Sequence, residues 1–340
     1  MSIVSSKPTI TRKDLEGVLD CMINDELIGG GVVASFEKSL TELTGSKNLL
    51  AVHSPTAAFH LALCAVEAGG KEVILPSYIG QAALNAITLC GAIPVLVDID
   101  QMLYPDCEQI LNAKSERTAA IIVAHTPGIA GNFASLAAAN VPLIEDISAI
   151  FGSENFDGNS FQGAFQIITF APHDIITTGN GAAVISKNAR HHSMMNELRS
   201  SSTKANFEYF MTDLQGAMGL SQISRMQDFV TRRREIARIY YDRARLTPHK
   251  VLFPFNESCP YQNFPLVFDA PADKTVKFFK KNGIEIFQPV QTPVHQILER
   301  KGMDFPNADR MSKKLFSLPL YPTLTRNEVE KISRTLAKFI

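Results

Sequence analysis

Seven short, almost uniformly apolar runs constrain this chain more than any other feature: NLLAVHS, EVILPS, IPVLVDI, AAIIVAH, PLIEDIS, FQIITFA and AAVIS. Helical patterns such as PTAAFHLALCAVEA and QAALNAITLCG are interleaved with them. A strand exposed to water on one face alternates apolar and polar residues. These runs do not, so both of their faces are covered, and the helices between them supply the cover. The pattern predicts an α/β fold with a mainly parallel sheet flanked by helices.

Beyond Thr212 the pattern changes to one long helical segment, TDLQGAMGLSQISRMQDFVTRRREIARIYYDRARL, which predicts a helix linking two units. From about Leu252 a smaller α+β pattern follows, with FPLVF and IEIF as strands and VKFFKKNG and NEVEKISRTLAKF as helices. The expected division is a large domain over 1–245 and a small C-terminal domain over 246–340. With 340 residues and 45% hydrophobic content, the chain can bury a large core.

A formal net charge of −1 and the lack of any long basic run argue against nucleic acid or an anionic membrane as the main partner. Arg232, Arg233 and Arg234 lie in a helical pattern and read as a solvated face. No apolar stretch approaches the ~20 residues of a membrane span, and MSIVSSKPTI lacks a signal-peptide core, so a cytoplasmic location is expected. Five scattered cysteines without a CxxC pair indicate neither a disulfide framework nor a zinc site, and several read as core fillers.

Generic motifs are absent. The chain has no GxxxxGK[ST], HExxH or GxSxG, and the GNG at Gly179 to Gly181 is too short for a dinucleotide fingerprint. His191 and His192 read as an exposed helical pair. The stretch FAPHDIITTGNGA, from Phe170 to Ala182, places His173 and Asp174 ahead of a threonine- and glycine-rich turn whose amides could approach a ligand.

Taken together, FEKSLTELTGSKNLLAV, TAAFHLAL, EVILPSY, GAIPVLVDID, PLIEDISAIFG, ITTGNGAAVIS, MTDLQGAMGLSQISR, the PVH ending at His295 and PNADRMSKKLFSLPLYPTLTRNEVEKI stand in a telling order. In that order and spacing, from about Pro8 to the C-terminus, the chain resembles the DegT/DnrJ/EryC1/StrS family of nucleotide-sugar aminotransferases. The resemblance implies a fold type I pyridoxal-phosphate (PLP) architecture with a seven-stranded, mainly parallel large-domain sheet. It also implies a homodimer with the cofactor cleft at its interface.

A pyridoxal enzyme needs an amine to hold the cofactor aldehyde and to shuttle protons. The family's lysine lies in a stretch like SFHPxKxITTGEGG, and the match puts Asp174 at that lysine. Related sugar 3-dehydratases carry a histidine there and use pyridoxamine phosphate (PMP) noncovalently, whereas His173 stands one residue early. Lys187 and Lys204 are the nearest lysines and fall outside the motif.

The other cofactor positions depart as well. The family's phosphate-binding SGTAA reads SPTAA, so Thr56 survives while Pro55 removes an amide donor. The ring that covers the pyridine falls on Gly80, with Tyr78 two positions earlier as a partial substitute. In EDISA the pyridinium partner Asp146 is kept, and Ala149 replaces a polar contact. Thr169 stands at a phosphate-binding serine, Asn180 at the glutamate of GEGG and Ala164 at an aspartate. EYFMTD replaces NYRMTD, so Glu208 and Phe210 occupy positions of an amide and an arginine that reach the partner's phosphate. These changes lead us to expect a degenerate member of the family that does not catalyse PLP-dependent transamination. No covalently bound cofactor is expected, and any PLP or PMP would be held weakly. Such a protein would act in bacterial surface-polysaccharide or amino-sugar metabolism by binding a sugar nucleotide or a paralogous aminotransferase subunit. The alternative is a PMP-dependent, dehydratase-like or aminotransferase enzyme using His173 or Asp174 as base.

Overall fold

The computed structural model describes residues 2–126, 128–154, 156–200 and 207–339. Helices α1 (Arg12–Ile23) and α2 (Gly31–Thr44) lead into β1 (Leu49–Val52) and α3 (Pro55–Ala65). Next come β2 (Glu72–Pro76), α4 (Gln81–Leu89), β3 (Ile93–Val97), α5 (Cys107–Ala113), β4 (Thr118–Ala124) and β5 (Leu143–Asp146). The large unit continues with β6 (Phe165–Phe170), β7 (Gly181–Ser186), α6 (Ala189–Ser200), α7 (Asp213–Ile223) and α8 (Met226–Ala244). The remainder carries β8 (Lys250–Val251), β9 (Phe264–Val267), α9 (Ala272–Lys281), α10 (Val294–Ile297), α11 (Pro306–Lys314), β10 (Leu315–Leu318) and α12 (Arg326–Lys338).

All seven expected strands form one sheet in the order β1-β7-β6-β5-β4-β2-β3. Only β7 runs against its neighbours. Strands β4, β6 and β7 are buried along almost their whole length, which is why their sequences show no alternation. Helix α3 lies across the sheet with nearly every side chain from Ala57 to Ala65 buried, and it is apolar all round for the same reason. Because β7 returns antiparallel beside β6, the connection 171–180 is held at the carboxyl edge of the sheet. The residues that follow β2, β4 and β5 lie at the same edge, the place where open α/β sheets bind ligands.

The segment expected as one linking helix is two. Ser224 and Arg225 separate α7 from α8: the Ser224 hydroxyl donates back to the Ser221 carbonyl, and Arg225 reaches the buried Asp14 carboxylate of α1 at 2.5 Å. Helix α8 then restarts from the Arg225 carbonyl, which accepts from the Phe229 amide.

The C-terminal unit holds a three-stranded antiparallel sheet, β10-β9-β8. FPLVF supplies β9 as expected, but IEIF is not a strand. Ile284 and Phe287 make only isolated bridges, to Ile3 and Ser317, and the missed strand is β10, LFSL. Ile3 and the α8 residues Ile236, Ala237 and Tyr240 share one apolar cluster with Phe264, Phe316 and Ile332, so packing crosses residue 245. Among the described residues no helix is long and apolar enough to cross a membrane.

Candidate functional site

A cleft of about 600 Å³ opens where the sheet's carboxyl edge meets the small unit. Its floor comes from residues just past the strands: Tyr78 after β2, Thr126 after β4, Asp146 and Ser148 at β5, and Thr169 and Asp174 at β6. Pro55 and Phe59 of α3 form one wall, and Gln262, Asn263, Gln288 and Gln291 form the other. Two aspartates and His173 are its titratable groups apart from Tyr78, and none of the described residues that line it is a lysine or an arginine.

Asp174 is buried, and three donors converge on its carboxylate. The Thr169 hydroxyl donates at 2.7 Å and the Ala171 amide at 2.6 Å, both to Oδ2, while the Gln262 side-chain amide donates to Oδ1 at 2.5 Å. Gln262 is also held from its other side, since its backbone carbonyl accepts from Arg233 Nη1 at 3.0 Å. The same Nη1 donates to the Leu320 carbonyl at 2.8 Å. Asp174 on the sheet, Gln262 in the small unit and Arg233 on α8 thus form one buried clasp across the cleft. Burial pushes the Asp174 carboxyl above the ordinary range, against the pull of His173, Thr169, the Ala171 amide and Arg233. Burial also lowers Arg233 to about 10, with Asp174 opposing that shift.

Arg233 is therefore not part of a solvated face. It is 4% exposed and feeds backbone carbonyls. Arg234 likewise donates to the Cys259 and Ser258 carbonyls, and Arg232 to Leu324. His191 and His192 are half-buried rather than exposed, with His191 stacked on Phe165 at 5.2 Å.

The remaining candidates fall as follows. His173 is 56% exposed in its side chain, faces the cleft, and has Nε2 3.8 Å from Asp174 Oδ1. Asp146 accepts from the Ser148 amide at 3.0 Å and the Ser148 hydroxyl at 2.5 Å through the same oxygen. Burial raises its pKa, as does the nearby Asp174, while the Ser148 hydrogen bonds oppose the shift. Thr169 spends its hydroxyl on Asp174 and takes Ser148 Oγ on its amide at 2.9 Å.

Tyr78 lines the cleft, but its ring packs with Ile99, Leu103, Val290 and Phe305, and burial pushes its phenol pKa up. Thr56 is the second residue of α3, half-buried and outside the cleft lining, whereas Pro55 at the first position faces the cleft. Ser54 caps that helix, its hydroxyl accepting from the Ala57 amide at 3.3 Å. Gly80, Ala149 and Asn180 line the cleft and Ala164 does not. Lys187 bonds the Phe161 carbonyl, away from the cleft, and Lys204 lies outside the described residues.

Sequence reasoning missed Gln262, Ser148 and the amides Asn263, Gln288 and Gln291. Gln262 lies two residues before the start of β9, but nothing local in CPYQNF pairs it with a residue 88 positions earlier.

An α/β scaffold with this strand order and a cleft at its carboxyl edge defines the fold type I class of pyridoxal-phosphate aminotransferases. The chain matches the DegT/DnrJ/EryC1/StrS aminotransferase family over residues 8–337 and belongs to it. Its backbone is similar to a Streptococcus pneumoniae protein assigned as a sugar aminotransferase and solved in a PMP form, with TM-score 0.92, 21% identity, and coverage of 100% of this chain and 98% of that one. It is also similar to the aminotransferase TlmJ from Streptoalloteichus hindustanus, at TM-score 0.91, 24% identity, and 99% and 98% coverage. A third similar structure is the Helicobacter pylori aminotransferase PseC of pseudoaminic acid biosynthesis, at TM-score 0.89, 22% identity, and 100% and 99% coverage.

Proposed function

We propose that this chain keeps the aminotransferase scaffold without working as a PLP-dependent transaminase, and that its cleft binds a sugar-type ligand in amino-sugar or surface-polysaccharide metabolism. The observation that carries this reading is the clasp. Asp174, which the sequence resemblance sets at the family's Schiff-base position, is a carboxylate with three donors on it, one of them the Thr169 hydroxyl that would otherwise serve a phosphate.

The residues do not fit the cofactor. A carboxylate forms no Schiff base, and the phosphate end would meet Pro55, which has no amide proton, at a helix start already capped by Ser54. No cation among the described residues lines the cleft to balance a dianion beside Asp146 and Asp174. If Glu208 faces a partner's site in a dimer, an anion about 4 Å away would meet a repulsion on the order of 4 kcal/mol. The lining amides and hydroxyls instead suit an uncharged or cationic polyol, including the sugar part of a nucleotide sugar.

A homodimer is the assembly we expect. One face of α1 presents Leu15, Leu19, Met22 and Ile23 at helical spacing and continues into Leu27 and Ile28, with Ile23 69% and Ile28 71% exposed. The opposite face is fixed to α7, Asp14 accepting from Gln222 at 2.9 Å, so the apolar stripe is rigidly displayed. A paralogous aminotransferase subunit could take the same face. Five unpaired cysteines suit a reducing cytoplasm.

The second reading, noncovalent PMP with His173 or Asp174 as base, draws on the exposed His173 imidazole at the cleft beside Asp174. One experiment separates the two: titrate PLP and PMP while following cofactor absorbance and the melting midpoint. A ligand at a hundredfold over its dissociation constant stabilises by about 2.7 kcal/mol. Our reading expects no shift with either. A saturable shift with PMP supports the second reading, and one with PLP overturns the first.

A further inference from the structure

We propose that His60, Cys64 and Cys90 form a zinc-binding site on the opposite side of α3 from the cleft's chemistry. His60 and Cys64 stand four residues apart on one face of α3, and Cys90 ends α4, which packs beside it. One ligand atom from each lies within 4.8 Å of the others. Neither cysteine is in a disulfide, and among the described residues their thiols hydrogen-bond only to one another and to His60.

The spacing admits a tetrahedral metal. Zinc holds thiolate sulfur at about 2.3 Å and imidazole nitrogen at about 2.0 to 2.1 Å, so at a tetrahedral angle a sulfur and a nitrogen lie about 3.5 to 3.6 Å apart and two sulfurs about 3.8 Å. Cys64 Sγ lies 3.6 Å from His60 Nε2. The ring's other nitrogen is engaged from behind, with the Tyr209 hydroxyl 3.2 Å from His60 Nδ1. That contact fixes the ring orientation and leaves Nε2 for the metal, the arrangement by which outer-shell groups orient ligating histidines. Phe207 closes over the imidazole with ring centroids 4.7 Å apart, while Cys64 and Cys90 keep partial solvent access.

Three protein ligands with a water in the fourth position make a Cys₂His site, and two soft sulfurs with an imidazole select zinc over the hard cations that prefer oxygen. Binding displaces the two thiol protons to solvent. The ion would tie α3 and α4 to the segment 207–210, and so would fix the helix whose first residue, Pro55, lines the cleft.

The test uses the full chain purified without chelator under reducing conditions. Metal analysis should find about one zinc per chain, and cobalt substitution should give the intense thiolate charge-transfer band of a tetrahedral site. Chelation should lower the melting midpoint, and added zinc should restore it. Cys64→Ser and Cys90→Ser should each lose the metal and the cobalt band, while Cys107→Ser, on α5, should keep both. If either site variant fails to fold, the wild-type cobalt spectrum and the chelator-induced shift still decide. The proposal is overturned by metal-free wild-type protein that neither takes up zinc nor shifts with it. Zinc retained in both site variants would overturn it too, as would a Cys64–Cys90 disulfide in the protein as isolated.

Discussion

Asp174→Ala is the perturbation that most directly asks what the carboxylate is for. In the native clasp its two oxygens accept from Thr169, Ala171 and Gln262 at 2.5 to 2.7 Å, in a buried setting shared with Arg233. Removing it leaves the Ala171 amide and the Gln262 side chain without that acceptor. The Thr169 hydroxyl can rotate, so its loss is smaller. Buried donors left unmade cost about 1 to 3 kcal/mol each, and the burial that raises the Asp174 pKa offsets part of that loss. We therefore expect a net loss of about 2 to 4 kcal/mol, a fall in melting midpoint of about 4 to 8 °C at roughly 2 °C per kcal/mol for a chain of this size.

The assay is calorimetric or urea unfolding of the wild type, Asp174→Ala, Gln262→Ala and the double variant. If the clasp is a unit, the double variant loses less than the sum, by about 0.5 to 3 kcal/mol of coupling. His173→Ala serves as control: its exposed ring should matter by less than about 0.5 kcal/mol. A carboxylate kept for catalysis behaves in the opposite way, since active-site groups are commonly held at a cost to stability. An Asp174→Ala protein as stable as wild type, or more stable, refutes the structural reading of this residue.

Asp174→Lys, incubated with PLP and reduced with borohydride, should carry no stoichiometric label at residue 174 by mass spectrometry, because Pro55, Gly80, Ala149 and Glu208 persist. Full labelling with a half-transamination signal would show the remaining pocket to be competent. Asp146→Asn keeps the oxygen that accepts from Ser148 and should raise the melting midpoint at neutral pH by a few degrees. Burial raises the Asp146 pKa from 3.8, so its contribution is complete below that value and is lost as pH rises through the folded pKa. The variant's advantage over wild type should therefore vanish in acid and grow on titration upward, and an advantage independent of pH would contradict the assignment. Leu19→Asp, on the exposed face of α1, should give a monomer by light scattering where wild type gives a dimer, and an unchanged dimer mass would place the interface elsewhere.

The large-domain sheet was legible because burial on both faces leaves a mark that no nearby residue can disguise: AAIIVA and FQIITF have no polar side to show. The small unit was less so. In LFSL the polar Ser317 is fully buried and donates its hydroxyl to a neighbouring carbonyl, so the strand looks broken in sequence. The three arginines misled for a related reason. Helical periodicity tells which residues share a face, but Arg233 is buried because carbonyls at 261, 262 and 320 converge on it, and those come from loops far along the chain. Asp174 stood out in the sequence beside the glycine-rich turn, yet its partner Gln262 did not, since a side-chain hydrogen bond between residues 88 positions apart leaves no local spacing to read.

Arg233 and Gln262 place different demands on residue 174, and the difference bears on why an aspartate is there. A lysine at 174 would share a buried space with Arg233, where a like charge favours loss of its proton. An amine poised that way is what a Schiff base requires, so Arg233 alone is compatible with either residue. The donors are not. The Ala171 amide, the Thr169 hydroxyl and the Gln262 side-chain amide all point their hydrogens at 174. A carboxylate accepts all three, a neutral amine accepts one, and an ammonium accepts none. The backbone amide at Ala171 cannot turn away without moving the β6–β7 connection, and Gln262 is held by its own carbonyl on Arg233. The position is thus committed to an acceptor by groups from both sides of the cleft, a setting that suits an aspartate and not a lysine.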